Sequence, residues 1–309
     1  LSFGGRQIGA NIRKEQTGVG TAYTGTGDRY NFSYIDQFAD KTIGLALGFA
    51  RYKTQGTSAR NETYDTSSGT SYNGSDIKAN NGFKLFTDNA SEQRDGAFAV
   101  VEFKPNKDIH STLDVYYSKF DRDVVRRGLE IQVNDSWKGA GNFQNPGIAP
   151  GAVVTDGRLM SGTWQNVNPL SRTIWEPRRD ELKSIGWNNK FKLAQDWTGN
   201  VDISQSSATR LERISEMEAG VWDSVNNRPL PGTVTVNNYN QISALQYDQG
   251  NPAIMRLTGA EGWGQAGYDK VTTTEDKINA FRLSAQKEMD GAFSKIDFGI
   301  NNAHRTKTK

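Results

Sequence analysis

The chain has 309 residues, 35% of them hydrophobic, and its 37 basic and 35 acidic residues leave a formal charge of +2. No stretch reaches the roughly 18 consecutive apolar residues that a membrane-spanning helix needs. Charges of both signs are scattered without a basic stripe, which argues against nucleic acid as a partner. Cysteine is absent, so disulfides and thiolate metal sites are excluded.

The regular feature along the chain is an alternation of period two, which is typical of β-strands whose two faces meet different surroundings. From Ile43 to Phe49 every second residue is large and apolar, whereas Gly44, Ala46 and Gly48 between them are small. The same alternation recurs at residues 111–121, 198–206 and 295–301. Such strands suit a wall with lipid on one side and a crowded lumen on the other.

About nine strands are predicted, separated by short and long links in strict alternation. The strands lie near residues 3–14, 28–36, 41–54, 95–104, 109–132, 171–194, 198–213, 276–287 and 292–306. The short links are residues 36–41, 104–108, 194–198 and 287–291, and the long polar links are 16–27, 55–94, 134–170 and 214–275. Short turns on one side and long loops on the other are typical of outer-membrane barrels, whose short turns face the periplasm.

Four aromatic residues lie at or beside the short links: Phe38, Phe103, Trp197 and Phe293. Their position predicts the aromatic girdle that membrane barrels carry at the interface. Ordinary packing of aromatic side chains against turns is the alternative.

An odd number of strands does not close a bacterial barrel, and an open edge in lipid would leave unpaired backbone groups. We therefore expect strands beyond residue 309. The predicted fold class is all-β: residues 1–309 form one domain, a partial transmembrane antiparallel β-barrel with long extracellular loops and short periplasmic turns.

Two stretches carry a family resemblance. Residues 34–48 (YIDQFADKTIGLALG) resemble the second and third barrel strands, with their periplasmic turn, in a proteobacterial branch of TonB-dependent receptors. Residues 111–120 (STLDVYYSKF), followed by 126–128, resemble a later strand of that branch, and residues 1–13 resemble its first strand. The resemblance implies the front part of a barrel of roughly 22 strands, with an N-terminal plug, the TonB box and the last strands outside this sequence.

The resemblance also implies a function. Members of the family reside in the outer membrane, bind a scarce ligand at the outer face, and import it with energy delivered by the TonB–ExbB–ExbD system. The branch resembled favours an oligosaccharide as cargo, with a siderophore second. This interpretation makes the chain an importer rather than an enzyme, with outer-membrane lipid, TonB–ExbB–ExbD and the cargo as partners and with no cofactor.

Two alternatives stay open. A passive porin-like channel would need no plug, and ladders of basic and acidic residues along the lumen would favour it, whereas these strands show only scattered charges. A soluble all-β protein that binds or degrades glycans is the other alternative, because sandwiches and jelly rolls also alternate.

No catalytic or metal-binding constellation stands out, and the two histidines, His110 and His304, lie near predicted strand ends. The long links are more informative, because they combine tryptophan with amide, carboxylate and guanidinium groups. An aromatic face beside such groups suits a sugar ring; a ferric siderophore would suit them too, and loops also use tryptophan for small cores of their own. The predicted ligand-binding residues are Trp137, Trp164, Asn166, Arg172, Trp175, Trp222, Tyr239 and Trp263.

Overall fold

A computed structural model describes residues 1–9, 12, 24–133, 146–239, 241–259 and 265–309, without the side chains of residues 64–69. The described residues are all-β: they form one large antiparallel sheet and contain no helix. Within them, no segment has the helical structure, length and apolar character that a transmembrane helix requires. The predicted all-β class is therefore confirmed.

Sixteen strands are present among the described residues. Their bounds are β1 Ser2–Gly9, β2 Thr26–Phe38, β3 Ile43–Tyr72, β4 Ser75–Asn106, β5 Ile109–Gln132, β6 Gly147–Ile148, β7 Val153–Thr155, β8 Arg158–Val167, β9 Leu170–Ala194, β10 Trp197–Asp223, β11 Arg228–Pro229, β12 Gly232–Asn237, β13 Gln241–Leu245, β14 Met255–Leu257, β15 Gly267–Glu288 and β16 Lys295–Thr308.

Nine long strands form the main path of the sheet, in the order β1-β2-β3-β4-β5-β9-β10-β15-β16. Each strand pairs antiparallel with the next one on this path. Among the described pairings β1 has only β2 as a neighbour and β16 has only β15, so the sheet is open rather than closed into a barrel.

The nine predicted segments correspond to these nine strands, but several strands are much longer than predicted. The stretch 55–94, predicted as a long polar link, is instead a continuation of β3 and β4, which pair almost to their ends. A two-residue turn joins them, with Asn73 at a φ of 50° and Gly74 at 78°. Positive φ at both central residues is the type I′ pattern, which matches the twist of paired strands and favours Asn-Gly.

The register brings the apolar residues of all nine strands to one face. Directly opposed residues of antiparallel strands share a face, and Ile43 is opposite both Phe38 and Phe103. The apolar belt consists of the large side chains on this face near the short turns: Phe3, Phe32, Phe38, Ile43, Leu45, Leu47, Phe49, Val101, Phe103, Ile109, Leu113, Val115, Tyr117, Ile185, Trp187, Val201, Ile203, Phe281, Leu283, Ile296, Phe298 and Ile300. Many of them are exposed; Ile185 is 46% and Ile203 is 44% accessible.

The opposite side of the sheet, the polar face, has a different composition. Opposite the belt it carries small residues such as Gly44, Ala46 and Gly186, and further from the short turns it carries charged side chains. The two faces therefore differ along the whole main path, as the alternation in the sequence predicts.

The buried core lies at the end of the sheet that contains the Asn73–Gly74 turn, away from the short turns at residues 39–42, 107–108, 195–196 and 289–294. There β8 and β12 pair with each other and pack with the far ends of β4 and β5. The cluster contains Ile77, Ala79, Phe83, Ile131, Val133, Leu159, Trp164, Val167, Val234 and Val236. This end of the molecule, which we call the cap, is held together by ordinary apolar burial.

The hairpin turn gives a test of the corrected β3–β4 structure. Gly74→Ala places a Cβ at positive φ, which costs about 1–2 kcal/mol, so we expect amide exchange at the hairpin tip to accelerate roughly tenfold. Gly56→Ala is the control, because a Cβ at Gly56 meets no atom within 4 Å and φ there is not positive. Equal exchange rates in the two variants would contradict the turn.

Candidate functional site

Charged residues that are far apart in the sequence form two rows across the polar face. One row, running from β3 to β15, consists of Tyr52, Arg94, Phe120, Asp180, Arg210 and Thr274. The adjoining row consists of Thr54, Glu92, Arg122, Arg178, Glu212 and Thr272. Charges that look scattered along each strand are therefore neighbours in the sheet.

An aromatic ring and three guanidinium groups form the centre of these rows. We call Arg94, Phe120, Arg178, Asp180 and Arg210 the Phe120 cluster. The guanidinium carbons of Arg94 and Arg178 lie 4.9 and 5.7 Å from the centre of the Phe120 ring. Both distances are within the range of cation–π attraction.

Asp180 binds two of the arginines of the Phe120 cluster. Arg178 Nε donates to both carboxylate oxygens at 3.0 and 3.1 Å, and Arg210 Nε donates to Oδ1 at 2.9 Å. Partial burial acts to raise the pKa of Asp180, but the hydrogen bonds from Arg178 and Arg210 outweigh it and leave the pKa below its usual value. The carboxylate is therefore ionised at neutral pH and fixes both guanidinium groups.

Two arginines next to the Phe120 cluster are also paired. Arg122 Nε donates to Glu92 at 2.9 Å, and Arg126 binds Asp88 through two bonds of 2.7 and 3.1 Å. These ion pairs keep the part of the polar face far from the short turns hydrophilic, and they neutralise most of its charge.

Arg172, predicted as a ligand-binding residue, lies at the centre of a carboxylate cluster. It forms ion pairs with Glu130 and Glu216, and its Nε lies 3.1 Å from Glu218. Glu216 and Glu218 are buried, at 7% and 6% accessibility, so Arg172 compensates carboxylates that are withdrawn from solvent. The guanidinium is surrounded by carboxylates of neighbouring strands of the sheet, which gives Arg172 a structural role.

Two grooves on the polar face meet at the Phe120 cluster. One has a volume of about 680 Å³ and extends towards β15 and β16, and the other has a volume of about 660 Å³ and extends towards β2. Their shared lining consists of Arg94, Tyr116, Ser118 and Phe120. Each groove is large enough for a small ligand.

The other predicted ligand-binding residues do not converge on one site. Trp164 is buried in the cap at 2% accessibility, in agreement with the alternative that loop tryptophans form cores. Asn166 follows it on β8 and is exposed with a φ of 58°. Tyr239 is close by, because its backbone N–H donates to the Met160 carbonyl, and its ring lies under Arg158 at 4.5 Å.

Trp175 and Trp222 lie elsewhere. Trp175 is on β9 opposite Val125, on the same face as the apolar belt and therefore on the opposite side from Arg172. Its Nε1–H donates to Asp123 at 2.9 Å, and Arg213 lies 5.4 Å from its ring. Trp222 pairs with Pro229 of β11 and has Arg256 5.7 Å from its ring. Trp137 and Trp263 are outside the described residues.

The sequence alone did not reveal the Phe120 cluster. The sequence does contain part of this information. Side chains two residues apart on a strand share a face. Counting in steps of two from the predicted apolar residues of each strand places Arg94, Phe120 and Asp180 on the opposite, polar face. Their adjacency depends on the register between strands, which the pattern of a single strand does not contain.

The described residues offer no group of three or more His, Cys, Asp or Glu side chains arranged to hold a metal ion. Comparison with known proteins adds no functional assignment: no family model, curated protein or solved structure matches the chain.

Asp180 provides a test of the electrostatics. Asp180→Asn leaves Arg178 and Arg210 without their shared carboxylate; after allowance for partial exposure we expect a loss of about 1–2 kcal/mol in unfolding free energy at pH 7. Because the pKa of Asp180 is lowered in the folded protein, its stabilisation is complete above its unfolded value of about 4 and is lost as pH falls through the folded value. The measurement is urea unfolding of the protein at several pH values.

The matched control is Asp297→Asn, whose carboxylate is 56% exposed and lies 3.6 Å from Lys295. We expect it to change the unfolding free energy little, because an ion pair between exposed side chains contributes little. A difference between native protein and Asp180→Asn that stays constant down to pH 3 would contradict the assigned ion pairs.

Proposed function

We propose that this chain forms part of the wall of an outer-membrane importer of the TonB-dependent receptor type, with the polar face lining the route of the cargo. The observation that carries the proposal is the apolar belt. It continues across all nine strands of the main path and lies opposite a face of small and polar residues.

A belt of this breadth has an unfavourable free energy in water. Monomeric soluble proteins rarely expose contiguous apolar patches larger than a few hundred Å², and a second sheet packed on the belt, as in a sandwich, is absent among the described strands. Lipid provides the missing apolar surroundings, and the alternation of apolar and polar residues fits a membrane wall. Within the belt, the aromatic residues Phe38 and Phe103 lie at the end next to the short turns, as an interfacial girdle would.

The open edges fit the same proposal. Unpaired backbone groups on β1 and β16 would be costly in lipid, so further strands of the full protein would complete the wall. In the receptor type proposed, a plug fills the lumen, and TonB–ExbB–ExbD supplies the energy for import. An oligosaccharide is the proposed cargo, with a siderophore second.

A passive channel is the second candidate, and one observation favours it. Arginines and carboxylates of neighbouring strands form ion pairs on the polar face, such as Glu92–Arg122 and Asp180–Arg210, rather than standing as isolated charges. Uptake by an importer stops when an uncoupler collapses the proton-motive force, whereas passive flux continues.

The size of the native polypeptide tests the importer proposal directly. We expect the intact mass of the protein from the outer-membrane fraction to be roughly two to three times 34.2 kDa, as a plugged barrel of about 22 strands requires. A native mass near 34.2 kDa, or a protein that stays monodisperse without detergent, would overturn the proposal.

A pair of lysine variants tests which face meets lipid. Ile203 lies between Trp187 and Phe281 in the belt, whereas the next residue, Ser204, lies on the polar face between Gly186 and Ala280. Ile203→Lys should lower the stability of the folded wall by about 2–4 kcal/mol if the site is near the bilayer midplane, and reduce the amount recovered in outer membranes. Ser204→Lys, with small neighbours, should leave both unchanged; equal behaviour of the two variants would contradict a lipid-facing belt.

A further inference from the structure

The two charged rows of the polar face are not fully neutralised. They contain four arginines, namely Arg94, Arg122, Arg178 and Arg210, and three carboxylates, namely Glu92, Asp180 and Glu212. Arg122 pairs with Glu92, and Asp180 holds both Arg178 and Arg210. Among the ion pairs between described residues none includes Arg94 or Glu212, so Arg94 is the one arginine of the two rows that no carboxylate holds there.

Arg94 is also placed where a ligand could reach it. Its side chain is exposed, and it lines both grooves of the polar face. Its guanidinium carbon lies 4.9 Å from the centre of the Phe120 ring. Stacking on the ring positions the guanidinium while its N–H donors remain available.

Two aromatic side chains lie on the same face as Arg94, about 13 Å further along the strand towards the short turns and beyond the Gly96–Ser118 pair. Phe98 and Tyr116 are direct cross-strand neighbours and are 45% and 42% exposed. Gly48, opposite Phe98, leaves room for this ring, since a Cβ at Gly48 would lie 2.2 Å from a Phe98 ring carbon. Two flat apolar groups and an exposed cation therefore lie on the same face, at a separation that an extended ligand of several rings can span.

We propose that Arg94, Phe98 and Tyr116 form a binding site for an anionic ligand carried along the polar face. Arg94 binds a carboxylate of the ligand, and the two aromatic rings contact its apolar surface. The inference deepens the proposed function, on which it rests: it selects anionic over neutral cargo. A planar guanidinium matches a carboxylate through two parallel N–H···O bonds, and exposed aromatic rings suit the apolar face of a sugar ring. Acidic saccharides and carboxylate siderophores share this chemistry.

The experiment is isothermal titration of the full native protein in detergent with three probes. Tetragalacturonate is the acidic saccharide, its full methyl ester has the same rings without the charge, and ferric dicitrate is the carboxylate siderophore. We expect one anionic probe to bind, and Arg94→Gln to weaken that binding roughly tenfold to hundredfold. Arg94→Lys should restore part of the affinity, because it keeps the charge but loses the planar fork.

Two controls separate recognition from structure. Arg213→Gln removes an arginine on the opposite face, where it is paired with Asp269 at 2.8 Å, and should leave binding unchanged. If the Phe98 ring stacks on a sugar, Phe98→Leu should weaken the binding of tetragalacturonate more than the binding of ferric dicitrate. Whichever anionic probe binds identifies the source of the carboxylate.

Several results would overturn the inference. The first is that the native protein binds tetragalacturonate and its methyl ester with equal affinity. The second is that Arg94→Gln weakens the binding of these two compounds equally. The third is that neither tetragalacturonate nor ferric dicitrate binds. A fall in unfolding temperature of Arg94→Gln with unchanged affinities would instead assign Arg94 to a contact within the protein. None of these outcomes changes the expected native mass or the expected results for Ile203→Lys and Ser204→Lys. Failure of the anionic site is therefore distinguishable from failure of the importer proposal.

Discussion

The register of the antiparallel backbone ladder is the constraint on which the rest of this structure depends. Hydrogen bonding fixes which residues are opposite each other, and opposed residues share a face. Nine separate alternations thereby become one apolar belt and one polar face. A slip of one residue in any strand would exchange its two faces; in β10 such a slip would place Asp202 in the belt and Ile203 among polar side chains. Burial contributes at the cap, but the two faces come from the ladder.

The difference between the two faces determines which strands could be predicted from the sequence. Strands are recognisable where they separate two media, as between Ile43 and Phe49, because each face then selects its own residues. The same strand becomes unrecognisable beyond Gln55, since both faces there are polar in composition and the alternation disappears. The turn at Asn73 and Gly74 carried the missing information, because Asn-Gly is the strongest short-range hairpin signal.

The candidate site was less accessible to sequence reasoning, because its members come from four strands. Arg94, Phe120, Asp180 and Arg210 are neighbours only through three successive registers. Tryptophan was a poor guide, since a large aromatic side chain serves equally as core or as surface. Trp164 is buried in the cap and Trp175 lies on the same face as the apolar belt, and neither outcome can be read from their polar sequence neighbours.

The two-residue connection between β3 and β4 also bears on how the chain assembles. Loop-closure entropy rises with the length of the segment that must be closed, so the β3–β4 pairing has a far smaller entropic barrier than β5–β9 or β10–β15, whose connections span residues 133–169 and 224–266. The pairings with two-residue connections, β3–β4, β4–β5 and β9–β10, can therefore form first, and the pairings across the long connections join these units later. The order of assembly then follows the connection lengths rather than the position along the chain.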